Sequence, residues 1–199
     1  MILEILKFPD PRLREKSEPI TEFGPELQQL ASDMLETMYA EHGIGLAAPQ
    51  VGVLKQMLVI DCRPKDENGQ FVPEEMTELE RQIGQPLVIL NPRIVKKEGK
   101  TTYDEGCLSV PTFYDTVERA LIVELEYETL KGETKRLRTD GLLAIVIQHE
   151  MDHLEGTLFI DRISFIKSNK IKNQIKKHGY PEKKKAELEV DDDKVPSRR

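Results

Sequence analysis

The sequence predicts an α+β fold in which antiparallel strands and small sheets pack around one central metal-binding α-helix, followed by a basic C-terminal extension. Three observations predict it. The stretch "GLLAIVIQHEMDHLEG" (141–156) is apolar nearly all round in its first turns, as a buried helix is. Short segments elsewhere alternate apolar with polar residues, or are compact apolar runs, between turn signals. Charge is unevenly spread: residues 165–185 carry eight lysines against one acid, net +7, and residues 186–199 carry −2. Since the whole chain is −7, residues 1–164 carry −12.

Taken in order, Leu27, Leu30, Ala31, Met34, Leu35 and Met38 recur at helical spacing, which predicts an amphipathic helix over 24–42. "GIGLAAPQVG" then reads as a small-residue loop leading into a short strand at "QMLVID" (56–61). Residues 63–86 are polar and acidic, with an Asn-Gly pair and prolines, and read as a long surface loop or insertion. "PLVILNP" (86–92) reads as a strand closed by Asn-Pro. Over 117–139 a hairpin is expected, with Val123, Leu125 and Tyr127 inward and basic residues of the return strand facing Glu124, Glu126 and Glu128. Asp140 is the expected N-cap of the central helix and Gly156 its stop.

At 199 residues the chain suits one domain with a real core and appendages. No apolar run approaches the length of a membrane span, and the start lacks a secretory pattern, so a cytoplasmic protein is expected. Two cysteines, Cys62 and Cys107, argue against a disulfide framework. An acidic body with a basic tail is a pattern of proteins that touch a polyanion through the tail; the plainer alternative is a solvated, partly disordered terminus.

Within the central helix, "QHEMDH" places His149 and His153 one turn apart on one face, the spacing with which two imidazoles grip one metal ion. Glu150 sits beside them as a proton acceptor. A catalytic metal needs a third protein ligand, and Phe159 occupies the slot where extended forms of this motif carry a third histidine. The candidates are His42, His178, Cys107 in "EGCLSVP", and downstream carboxylates such as Asp161. A thiolate is a strong ligand, although a lone cysteine is often only a small buried hydrophobe.

Three segments, "GIGLAAPQ" (43–50), "EGCLS" (105–109) and "QHEMDH" (148–153), together with "FPDPRLR" near the start, resemble the peptide deformylases in motif, order and spacing. The resemblance covers roughly residues 1–165. It implies a catalytic domain over 1–165 and a charged extension over 166–199, helical at first and then disordered. It also implies removal of the N-formyl group from formyl-methionyl nascent chains, with release of formate.

By the same resemblance Cys107, His149 and His153 hold one divalent ion, iron(II) by family habit, though sulfur and imidazole also suit zinc, nickel and cobalt. Water is expected in the fourth position and attacks the formyl carbon. Glu150 would move the proton, and the Gln50 side chain and Leu108 N–H would steady the oxyanion. Gly43, Ile44 and Gly45 would pair with the peptide backbone, and Leu142, Ile145 and Val146 would line the methionine slot, against the alternative that these three are plain core. Arg119 is expected to pair with Glu105 or Asp152. "FIKSNKIKNQIKKHGYPEKKK" resembles extensions that dock near the ribosome exit tunnel; neither membrane nor specific DNA is expected as a partner. Thr112 stands where many bacterial members have glycine, and the 63–86 loop, longer than in the shortest members, has no role assigned by sequence.

Two other functions fit fewer residues. An H-E-x-x-H zinc peptidase leaves Cys107 and Gln50 without a task. A non-catalytic ribosome-associated protein leaves all five chemical positions (Gln50, Cys107, His149, Glu150 and His153) filled for nothing.

Overall fold

The computed structural model describes residues 1–180. The acidic stretch after 186 and the lysines at 183–185 lie outside the described residues. After a 3-10 turn at Pro11–Arg14, the elements run α1 (Pro25–Ala40), β1 (Gly45–Ala47), β2 (Met57–Ile60), α2 (Glu78–Arg81), β3 (Leu87–Glu98), β4 (Thr101–Cys107), β5 (Val110–Arg119), β6 (Ile122–Glu128), β7 (Thr134–Thr139), α3 (Gly141–Leu154) and α4 (Phe165–His178). Strands β1-β2-β3-β6-β7 form one antiparallel sheet, and β4-β5 a separate ribbon.

Strand β2 shows how the layers form. All four of its residues are fully buried, because Met57 and Val59 face Met34 and Met38 of α1 while Leu58 and Ile60 face Leu143 and Ile147 of α3. A strand covered on both faces is apolar at every position rather than at alternate ones. The β6–β7 hairpin has one wet face and alternates as expected: Val123, Leu125 and Tyr127 are buried, and Arg136 and Arg138 pair with Glu126 and Glu124 at 2.7 and 3.3 Å. Such exposed pairs add little to stability, because water screens them. The hairpin itself spans 122–139; residues 117–119 belong to β5.

Several sequence expectations are corrected. Part of "GIGLAAPQ" is not loop: Gly45–Ala47 pairs with β2 as the edge strand β1. Asn91-Pro92 does not close a strand. β3 runs on to Glu98 across a bulge, with Asn91 at φ 48° and its side-chain amide bonded both ways to the Ile20 backbone at 2.8 Å. Asparagine tolerates that left-handed geometry and supplies the lost pairing from its side chain. Residues 63–86 are not a simple surface loop, since Met76, Glu80 and Gln85 are buried. Asp140 occupies the N-cap position, but its carboxylate accepts from the Thr77 hydroxyl and caps nothing. The cap comes from Glu80, whose carboxylate accepts the Leu143 and Thr77 N–H groups, both at 2.9 Å. Gly141, at φ 60°, leaves room for it, because a Cβ there would lie 2.6 Å from that carboxylate. At the other end Gly156 (φ 69°) ends α3 as expected.

Helix α4 packs on the body. Ile171 and Ile175 join Leu158, Phe159 and Ile160 and the β5 residues Val110 and Val117 in one apolar cluster. The Tyr180 hydroxyl donates to the Phe8 carbonyl at 2.8 Å. Lys170, Lys176 and Lys177 are exposed, while Lys167 pairs with Asp115 and Lys172 with Asp161.

Thr112 sits at φ 71°, a left-handed conformation that a β-branched residue adopts only under strain. Replacing it with glycine is expected to raise stability by about 1 kcal/mol, which is about 2–4 °C in melting temperature. An unchanged or lower melting temperature would show that the strain is relieved elsewhere.

Candidate metal centre

Helix α3 is buried along most of its length, so its polar residues need partners inside the protein. His149 and His153 project from one face, their ring centroids 5.2 Å apart. Cys107 arrives from the end of β4, and its Sγ lies 3.3 Å from His153 Nε2. One ligating atom from each of Cys107, His149 and His153 lies within 4.8 Å of the others, and among the described residues this is the group able to hold a metal ion. His149 Nδ1 contacts the Glu105 carboxylate at 2.8 Å, which leaves Nε2 for a ligand bond. Burial holds the His153 imidazole well below its ordinary pKa, whereas at His149 the same burial is outweighed by Cys107 and Glu105, which hold that imidazole above its ordinary value. Soft sulfur with two imidazole nitrogens suits a first-row divalent ion, and the residues fit one.

The supporting shell is ionic. Arg119 donates to both oxygens of Glu105 at 2.7 and 2.8 Å and to Asp152 at 2.6 Å. Arg162 adds a bond to the same Asp152 oxygen at 2.9 Å. The sequence suggests one partner for Arg119; it holds both, tying the cysteine strand to α3. Burial alone would raise the Glu105 carboxyl, but Arg119 and His149 hold it down at about 2.

Beside the centre, Glu150 is 4% exposed, and burial lifts its carboxyl to about 7. Its Oε2 has no protein hydrogen-bond partner. Gly45 is obligatory here, because a Cβ would stand 2.5 Å from Glu150 Oε1. At Gly43 a Cβ would stand 2.8 Å from Leu108 Cδ1, the end of a side chain, so the constraint there is softer. Gln50 accepts the Ala47 N–H through Oε1 at 2.8 Å, while Nε2 reaches Ser109 Oγ at 3.1 Å and Cys107 Sγ at 3.6 Å.

A cavity of about 1150 Å³ opens onto these groups. Gly43, Ile44 and Gly45 form one wall, Leu142, Ile145 and Val146 another, and Gln50, Cys107, Leu108, His149 and Glu150 also line it. His153 is 1% exposed and does not line it. His42 lies at the cavity wall and Asp161 pairs with Arg14 and Lys172, so neither joins the ligand group. Two supporting residues escaped the sequence reading. Ser109, fully buried, receives the Gln50 amide. Arg162 lies ten residues beyond Asp152, with nothing in its local sequence to announce the pairing.

The family model for polypeptide deformylase matches residues 2–169. The chain belongs to the peptide deformylase family. It is 44% identical over 176 residues to the peptide deformylase of Neisseria meningitidis serogroup C, an alignment covering 88% of this chain and 95% of that protein. To that of Nitrosococcus oceani it is 45% identical, with the same coverage. Among solved structures, the Ehrlichia chaffeensis enzyme superposes with a TM-score of 0.77 at 37% identity, covering 89% of this chain and 96% of that one. The Legionella pneumophila enzyme gives 0.75 at 38%, covering 89% and 95%. The family removes N-formyl groups from nascent peptides, and the chain is a metal-dependent hydrolase of this kind.

Truncating Arg119 to alanine leaves Glu105 and Asp152 buried with one cation fewer. The expected loss is about 3–5 kcal/mol of stability together with weaker metal retention. Calorimetry and metal analysis of the purified variant check this; wild-type values in both would mean that the ion network does not organise the site.

Proposed function

We propose that Cys107, His149 and His153 hold one divalent ion, iron(II) as the working form, and that the surrounding residues carry out deformylation of formyl-methionyl peptides. The observation behind this reading is the convergence of the three ligating atoms, within 4.8 Å of one another, at the edge of a cavity lined by Cys107 and His149 together with Glu150 and Gln50. The ion, when bound, supplies Lewis acidity that polarises the formyl carbonyl and acidifies water. Glu150 takes the proton from the attacking water and delivers it to the departing amine, so its uncommitted Oε2 is the atom that acts. Gln50 Nε2, held by Ser109 and only loosely by the sulfur, donates to the oxyanion with the Leu108 N–H. Leu142, Ile145 and Val146 take the methionine side chain. The backbone of Gly43, Ile44 and Gly45 aligns the peptide in extended form.

No helix among the described residues is long and apolar enough to cross a membrane. We read the working compartment as the cytoplasm, where nascent chains emerge. The exposed Lys170, Lys176 and Lys177 of α4, with the lysines that follow, would attract the phosphates of a ribosomal surface.

Formate release from a formyl-Met tripeptide by anaerobic, iron-loaded protein tests the reaction. A Glu150→Gln variant is expected to lose about 10²–10⁴-fold in kcat while keeping its metal. Full activity in that variant would remove Glu150 from the mechanism, and no activity in metal-replete wild type would remove the mechanism itself. For the tail, a Lys170→Gln/Lys176→Gln/Lys177→Gln variant should bind ribosomes more weakly and with a shallower salt dependence, the slope falling by about 0.7–0.9 per lost phosphate contact. An unchanged salt slope would exclude this face of α4.

A further inference from the structure

Helix α4 ends at Gly179, which sits at φ 67° and turns the chain back toward the body. Tyr180 follows, beyond the residues 2–169 that match the family model, and it lines the wall of the peptide cavity. Its side chain is fixed from two directions. The ring meets Phe113 edge-on, centroids 6.3 Å apart, and the hydroxyl donates to the Phe8 carbonyl at 2.8 Å. A phenol has one hydrogen to give, so the Ser109 carbonyl, 3.5 Å away, is the lesser contact.

Phe8 belongs to a segment that supports the site from behind. Its N–H donates to the Ser109 carbonyl at 2.8 Å, and two residues earlier the Leu6 N–H donates to the Gln50 carbonyl at 2.7 Å. Residues 6–8 therefore stitch together the backbones of "GIGLAAPQ" and "EGCLS", whose strands β1 and β4 belong to different sheets and share no ladder. Ser109, fully buried, in turn receives a hydrogen from Gln50 Nε2 at 3.1 Å. The amide that faces the cavity is thus held, through the Gln50 and Ser109 carbonyls, on the N-terminal segment. Tyr180 grips that segment from the side of α4.

We propose that Tyr180 is a positioning residue for deformylation: by holding Phe8 it fixes Ser109, and so the direction in which Gln50 Nε2 points. The proposal rests on the reading of Gln50 as an oxyanion donor. A donor aimed in advance at developing charge contributes to rate, and a small misplacement of it costs rate rather than binding. The segment that follows α4 thus reaches the reaction through one hydroxyl.

Tyr180→Phe keeps the ring on Phe113 and removes the hydroxyl. In full-length, iron-loaded protein kept anaerobic, kcat for a formyl-Met tripeptide is expected to fall by about 3–10-fold, with KM and metal content unchanged. The same substitution made in a Ser109→Ala background should cost no further activity, because Ser109 Oγ no longer passes its position on to Gln50. Wild-type kcat in Tyr180→Phe, whatever its melting temperature, a change confined to KM, or an undiminished loss in the Ser109→Ala background would each overturn the proposal. Gln50→Ala, measured beside them, separates the two readings. If it is slow while Tyr180→Phe is not, Tyr180 alone is excluded; if it keeps wild-type kcat, Gln50 is not the donor and Tyr180 has nothing to position.

Discussion

The structure depends on the burial of a polar helix face. Helix α3 lies under the sheet with Gln148, His149, Glu150, Asp152 and His153 all nearly inaccessible. Such a helix is stable only if its polar atoms are met inside the protein. Gln148 is met by the Ala120 backbone at 3.0 Å, His149 by Glu105, and Asp152 by Arg119 and Arg162. Glu150 Oε2 and His153 Nδ1 are left out. The unmet polar atoms of α3 thus both belong to residues of the candidate site, and Gln148 and Asp152, which lie outside it, are satisfied.

This also explains why the cysteine comes from a different sheet. Ribbon β4-β5 makes no ladder with the five-stranded sheet, so something else must fix the distance from Cys107 to the imidazoles. Glu105 lies two residues before Cys107 and contacts both Arg119, at the end of β5, and His149 on α3. One carboxylate therefore sets the orientation of His149 on the helix and of the strand that carries Cys107. A buried ion network contributes little net stability, but its geometry is stiff, and stiffness is what a ligand set requires.

Much of this was legible in the sequence, for identifiable reasons. The α1 and α3 helices and the β6–β7 hairpin follow from periodicity, because each has one face or pattern set by burial alone. The ligand helix follows from a fixed i, i+4 spacing. Three-residue β1 carries no periodic signal, since Gly45 is there to let Glu150 and Val146 approach closely and Leu46 and Ala47 are both buried. The bulge at Asn91 and the cap by Glu80 depend on partners 71 and 63 residues away, which no local pattern encodes. Segment 63–86 looks like loop because its average composition is polar, whereas its structure rests on three buried residues, Met76, Glu80 and Gln85.

Glu80 gives that segment a structural reason to exist beside the site. Helix α3 begins at Gly141 with N–H groups that need an acceptor, and its own N-cap residue has its carboxylate engaged with Thr77. Glu80 reaches Leu143 N–H from α2 and so fixes the start of the helix. His149 follows six residues later, with Ile145 and Val146 between. A negative carboxylate at the N-terminus of a helix also opposes the positive end of its dipole. The acidic insertion thus anchors the helix that carries His149 and His153 from the end opposite His153, while Arg162 holds Asp152 near the other end.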